Sequence, residues 1–216
     1  MDEIISGVGV LDKALALLSV VDARASTLSE LAAKTGFSRA TTHRLATALV
    51  DHRLLRRDGD GRYELGWALI PLGRTAAERL PLARAARGSL EALRDRSGES
   101  TQLYVVEGGQ RVCVLALDSP DELRTVVAVG ARLPMDRGSA AAALRGDVGA
   151  GGWVQSVAER APGVAAVSAP VHLPDGSIIA ALGVSGPVER LGVSPGLRYG
   201  EMVLQAALEV SAKLAD

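Results

Sequence analysis

The chain has little of what marks several large classes of protein. One cysteine in 216 residues, Cys113, excludes an internal disulfide framework, and its apolar surroundings make it a buried, inert thiol. No run of about 18 apolar residues is present to span a bilayer. The opening Met1–Ser6 carries two acids and no basic segment, so no secretory signal is expected and the reading is a soluble, cytoplasmic protein. Charge of one sign is also missing: 24 Lys+Arg stand against 25 Asp+Glu, which removes the overall polycation that many nucleic-acid binders show. The three histidines, His43, His52 and His172, lie far apart without Cys or carboxylates at ligand spacing, so no metal is expected. Gly7-Val8-Gly9 follows no strand and is no dinucleotide fingerprint, so no cofactor is expected. Gly183-Val184-Ser185-Gly186-Pro187 has proline where a nucleophile elbow needs its last glycine. No catalytic residue is assigned.

What is present is strongest between residues 27 and 65. Apolar spacing over 8–22, with Val8, Leu11, Leu15, Leu18 and Val21, predicts a first amphipathic helix. Thr27 stands three residues before Glu30, a capping-box signature that opens a second helix over Leu28–Thr35, and Gly36 is placed to end it. Ser38 caps a third helix reaching about His52, with Ala40, Leu45, Leu49 and Val50 facing inward. Asp58-Gly59-Asp60-Gly61 then joins extended Leu54–Arg57 to Arg62–Leu65, the strongest local signal for a hairpin. Helix, glycine turn, helix and hairpin in this order form a winged helix-turn-helix.

The chemistry of this segment suits double-stranded DNA. Basic and acidic residues cancel over the first 66 residues, nine against nine, yet Arg39, Arg44, Arg53, Arg56 and Arg57 face Asp51 alone between Gly36 and Arg57. Ser38, Arg39, Thr41, Thr42, His43 and Arg44 bring short hydroxyls and long cations to one helix start, where hydroxyls suit phosphate oxygens and arginine suits guanine or phosphate. Thr27 adds a further hydroxyl. Arg56, Arg57, Arg62 and Tyr63 flank the hairpin tip, either as backbone clamps or as charges that protect an edge strand. Asp58 and Asp60 at the tip repel phosphate.

Beyond the hairpin, Trp67 to about Arg96 reads as a connector helix and the first helix of a new domain, with Pro71 near its start and Pro81 as a break. Thr101–Val106 and Val112–Leu117 are expected strands, and Thr125–Val129 a third. Ser139–Leu144 is an expected helix, Ala165–Val171 and Ile178–Ser185 pair across Pro174-Asp175-Gly176, and a last helix covers Pro195–Leu214. Residues 145–152 read as a flexible connection. The fold class is α+β, with boundaries at 1–66 for DNA binding, 67–82 for a linker helix, and 83–216 for the second domain.

Three blocks carry a family resemblance: VGVLDKALALLSVV (8–21), TLSELAAKTGFSRATTHRLATALVDHRLLRRD (27–58) and RYELG (62–66). It continues in LPMDRGSAAAAL (133–144), GVAAVSAPV (163–171) and AALGVSGP (180–187). Over nearly its whole length the chain resembles IclR-type transcriptional regulators, most of all actinobacterial regulators of amino-acid biosynthesis genes. The resemblance implies a GAF-like antiparallel effector domain with flanking helices. It also implies that the 67–82 linker helix dimerises, that dimers or dimers of dimers sit on palindromic operators, and that a small-molecule effector binds. Transferred position by position, the effector residues are Met135, Ser139, Ala140, Ser156, Ala166, Gly183 and Ser185. None of these is Arg or Lys, which favours a neutral or amino-acid-like ligand. Two departures stand out: Arg145–Gly151 replaces a longer helical segment that covers the pocket in relatives, and Ala141-Ala142 replaces Gly-Lys. They leave a second reading open, a constitutive DNA-binding and oligomerising protein with a degenerate, ligand-free effector domain.

Overall fold

Capping residues set the helix boundaries of the first unit in the computed structural model, which describes residues 6–215. The chain divides into two units, one up to Ala76 and one from Ala77 on. Helix α1 spans Gly9–Ala23, α2 Leu28–Thr35 and α3 Arg39–Asp51. The capping box is complete: Glu30 N donates to Thr27 Oγ1 at 3.3 Å, and Thr27 N donates to Glu30 Oε2 at 2.7 Å. Gly36 takes φ +72°, a left-handed conformation that a side chain would oppose, and so turns the chain between α2 and α3. Ser38 Oγ accepts from Thr41 N at 3.2 Å. Strands β1 (Leu55–Arg57) and β2 (Tyr63–Leu65) form the wing, its turn closed on Asp58 Oδ1 by the amides of Asp60 and Arg62.

Leu17, Val21, Leu31, Leu45, Ala46, Leu49, Leu55 and Tyr63 form the core of this unit. Each fully buried leucine contributes on the order of 2 kcal/mol of apolar burial. Two expectations need correction here. Ala40 is exposed, and Thr42 and Ala46, one turn apart on the opposite side of the helix, hold inward positions. The apolar face of α1 is split: Leu17 and Val21 enter the core, whereas Val8, Leu11 and Leu15 stay about half exposed.

Helix α4 (Leu69–Arg79) follows the wing, and Pro81 opens α5 (Pro81–Ser97), where its missing amide costs nothing. Six antiparallel strands then form one sheet in the order β5-β4-β3-β8-β7-β6. They are β3 (Ser100–Glu107), β4 (Gln110–Leu117), β5 (Arg132–Leu133), β6 (Val154–Val157), β7 (Val164–His172) and β8 (Ile178–Pro187). Helices α5 and α8 (Gly196–Lys213) cover one face, and α6 (Ser139–Arg145) packs on the other. The period-2 alternation of strands divides the residues cleanly. Ala165, Val167, Ala169 and Val171 of β7 meet α5 and α8, as do Ala180, Leu182 and Val184 of β8. Their neighbours Ala166, Ser168, Gly183 and Ser185 face the α6 side.

The short strand β6 and helix α7 (Val188–Leu191) have no periodic signal strong enough to be read from sequence. Thr125–Val129 is not a strand: it runs unpaired, and the sheet edge is β5 at Arg132–Leu133 instead. Nor is 145–152 an unstructured connection. Its amides close tight turns (Asp147 N to Ala142 O, 2.9 Å; Gly149 N to Trp153 O, 3.1 Å) that deliver Trp153 against α8. There a Cβ on Gly196 or Gly200 would lie 2.0 or 2.3 Å from the indole, so only glycine lets the helix approach. Among the described residues no helix is long and apolar enough to cross a membrane.

Candidate functional site

The start of α3 presents an exposed, partly free set of donors. Ser38, Arg39, His43 and Arg44 are exposed and Thr41 is half-buried. Arg39 Nη1 donates to Ser29 Oγ at 3.0 Å, which fixes its stem beside α2. Arg44 and His43 make no hydrogen bond or ion pair within the described residues and remain available. Thr27 is half-buried and its hydroxyl accepts the Glu30 amide, so its first task is the cap. Thr42 is a correction: it is completely buried, and its hydroxyl donates to Ser38 O at 3.0 Å. It belongs to the core rather than to a groove-facing surface.

The wing corrects a second expectation. Tyr63 is 1 % exposed, its ring in the core and its hydroxyl accepting from Arg57 Nη2 at 2.6 Å. Arg57 also stacks over that ring, 4.8 Å from its centre. Arg56 pairs with Glu64 and lies over Trp67. Arg62 donates to Ala25 O at 3.0 Å and to Glu30 Oε2 at 3.2 Å. The three wing cations are thus tied inside the unit. Glu30 sits between the Thr27 cap, Arg62 and Arg24, and its carboxyl is held below the usual range, first by the Thr27 amide and hydroxyl and then by the two guanidinium groups.

In the second unit, a cavity of about 30 Å³ lies between the sheet and the start of α6. Six of the seven transferred positions line it: Ser139, Ala140, Ser156, Ala166, Gly183 and Ser185. The seventh does not. Met135 packs into the small cluster around Tyr104 and Cys113, and only its carbonyl is engaged, by the Arg145 guanidinium. The serines are ordered by one another: Ser139 N donates to Ser156 Oγ at 3.0 Å, Ser139 Oγ meets Ser168 Oγ at 2.9 Å, and Ser185 Oγ donates to Gln102 Oε1 at 3.0 Å.

Arg111 and Arg160 also line this cavity, and sequence reasoning missed both. Arg111 is 2 % exposed. Its Nη1 donates to Pro134 O at 2.6 Å and Arg137 O at 2.7 Å, while its buried Nε has no partner. Among the described residues no carboxylate bonds to it, and desolvation lowers its pKa. Arg160 makes no hydrogen bond or ion pair within the described residues, and its charge opposes that of Arg111. A buried guanidinium with an orphan donor is costly unless an acceptor completes it. The cavity wall thus carries two cations that the transferred positions did not include.

The reason Arg111 was missed is a β-bulge. Leu103 faces Leu115 across the β3–β4 ladder, but Tyr104 faces Cys113, so one residue of β4 is passed over. That single slip moves Cys113 and Arg111 from the α5–α8 face to the cavity face. No spacing rule in β4 alone reveals it.

A profile of the IclR helix-turn-helix domain matches residues 10–59, and one of the bacterial transcriptional regulator IclR C-terminal domain matches 74–145 and 147–212. The chain belongs to the IclR family. This is a family of DNA-binding transcriptional regulators, and its C-terminal match is interrupted at Gly146, which ends α6. The HTH-type transcriptional regulator KipR of Bacillus subtilis is 31% identical over 133 residues, which is 61% of this chain and 53% of that protein. The glycerol operon regulatory protein of Streptomyces griseus is 28% identical over 217 residues, 84% of this chain and 85% of its own. The crystal structure of an IclR homolog from Microbacterium hydrocarbonoxydans, complexed with 4-hydroxybenzoate, shares the fold. Its TM-score is 0.70 at 24% identity, covering 95% of this chain and 98% of that one.

Proposed function

We propose that this IclR-family chain is a cytoplasmic regulator that reads a palindromic operator through the start of α3 and whose operator affinity is set by a small carboxylate in the cavity beside α6. Arg44, His43 and Arg39 supply groove and phosphate contacts, with Ser38 and Thr41 hydroxyls on the backbone. Arg56, Arg57 and Arg62 brace the wing. Self-association as a dimer or dimer of dimers brings two α3 helices to successive major grooves, and the exposed apolar side chains of Leu11, Leu15, Trp67 and Ile70 supply surface for it.

The observation that carries the ligand half is Arg111: a buried cation with a free Nε and, among the described residues, no carboxylate partner. A ligand anion bonded there in one arrangement of the second unit and not in another shifts the balance between them only by that difference in affinity. The small size of the cavity favours the second reading, a constitutive binder with an empty effector domain. Fluorescence anisotropy on the protein's own promoter fragment separates the two. A metabolite carboxylate that changes operator affinity in the natural protein and not in Arg111→Met supports regulation; operator binding indifferent to a panel of small carboxylates supports the constitutive reading.

A further inference from the structure

A second cleft adjoins the cavity beside α6. Arg160 and Val164 line both the cavity and this wider cleft of about 450 Å³. The outer cleft is walled by Leu123 and Val126 of the loop after β4 and by Pro187 and Glu189 at the start of α7. Leu123 and Val126 are 68 % and 61 % exposed, two large aliphatic side chains turned to solvent beside one opening. The wall is held in place. Arg190 forks onto the buried Glu99, with Nη2 to Oε2 at 2.7 Å, and its Nη1 reaches Asp121 Oδ2 at 3.1 Å, which ties the loop to α7.

Size and chemistry divide the two spaces. The inner cavity, about 30 Å³ against about 450 Å³ outside, is much the narrower of the two spaces and suits a head group. Its unpaired groups are cationic. The outer cleft is wide, and its lining sets the aliphatic Leu123, Val126, Val164 and Pro187 beside Arg124, Glu189 and the shared Arg160. We propose that the outer cleft is a second ligand subsite, which takes the apolar body of an aliphatic carboxylate whose head group lies at Arg111. This deepens the ligand reading above and rests on it. A carboxylate between Arg111 and Arg160 satisfies the orphan Nε and screens two like charges, while the chain covers Leu123 and Val126.

Calorimetric titration of the full chain with acetate, butanoate, hexanoate and octanoate tests this, with hexylamine and hexan-1-ol as controls. Affinity is expected to rise about twofold to fourfold for each added methylene, as apolar surface leaves water. Neither control should bind. Leu123→Ser with Val126→Ser, both exposed and so harmless to folding, should flatten the chain-length dependence and leave the short acids unchanged. Binding that depends on Arg111 but is equal for butanoate and octanoate overturns the outer subsite while the anion site stands. A chain-length gain that survives the double substitution overturns it too. If no carboxylate binds in an Arg111-dependent way, the underlying anion reading fails with it.

Discussion

Thr42 and Arg44 stand two residues apart on α3, and the structure gives them opposite jobs. Thr42→Val removes a hydroxyl that is wholly buried and bonded to Ser38 O at 3.0 Å. That carbonyl keeps the Thr42 amide at 2.9 Å, so no acceptor is orphaned. The loss is then that of one ordinary hydrogen bond, about 1 kcal/mol. Thr42→Ala also deletes a buried methyl, about 0.8 kcal/mol more with a small cavity term, for a total of about 2 kcal/mol. Amide exchange along α3, followed by mass spectrometry, should accelerate about fivefold in the valine variant and about thirtyfold in the alanine variant, since RT is about 0.6 kcal/mol. Neither loss is large against a typical domain stability, so operator affinity measured by anisotropy should stay within about twofold. Arg44→Ala should do the reverse: unchanged exchange, and affinity weaker by about 1–3 kcal/mol if the guanidinium reads a base. A valine variant with unchanged exchange and weakened DNA binding would refute the burial argument and return Thr42 to the groove.

Other consequences are more compact. Arg62→Ala should leave the salt dependence of operator binding nearly as it is, because that guanidinium is spent on Ala25 O and Glu30; a slope reduced by about one, measured from 50 to 200 mM salt, would show a phosphate contact instead. The depressed Glu30 carboxyl gives stability that is present above its ordinary value of 4.5 and is lost as pH falls through its lower folded value, so Glu30→Gln should flatten the acid limb of first-unit unfolding. Burial pushes the Cys113 thiol up to about 12, leaving about one part in ten thousand as thiolate at pH 8, and iodoacetamide should label it only after denaturation. Gly200→Ala drives a methyl to 2.3 Å from the Trp153 indole and should lower the melting of the second unit by an overpacking cost of about 1–3 kcal/mol.

What the sequence determined by itself is local. The Thr27–Glu30 box, Gly36, the Ser38 cap and the Asp-Gly turn act within a few residues of one another, so the helix-turn-helix and its wing were legible to within about a residue at each boundary. Strands β3, β4, β7 and β8 were legible for the same reason, and likeness to IclR regulators carried six of the seven proposed effector positions to the cavity wall. The tertiary structure decided which side chains are free to act. Arg56, Arg57 and Arg62 read as a basic wing until packing brings Glu64, Tyr63 and Glu30 within reach. Thr42 reads as a groove hydroxyl until helix phase turns it into the core. Arg111 shows the cause most plainly: a one-residue slip between β3 and β4 reverses the side to which its strand points, and only strand pairing fixes that register. Pairing and packing join residues far apart in the chain, and so the charge of the cavity emerged from the fold and not from the motif that led to it.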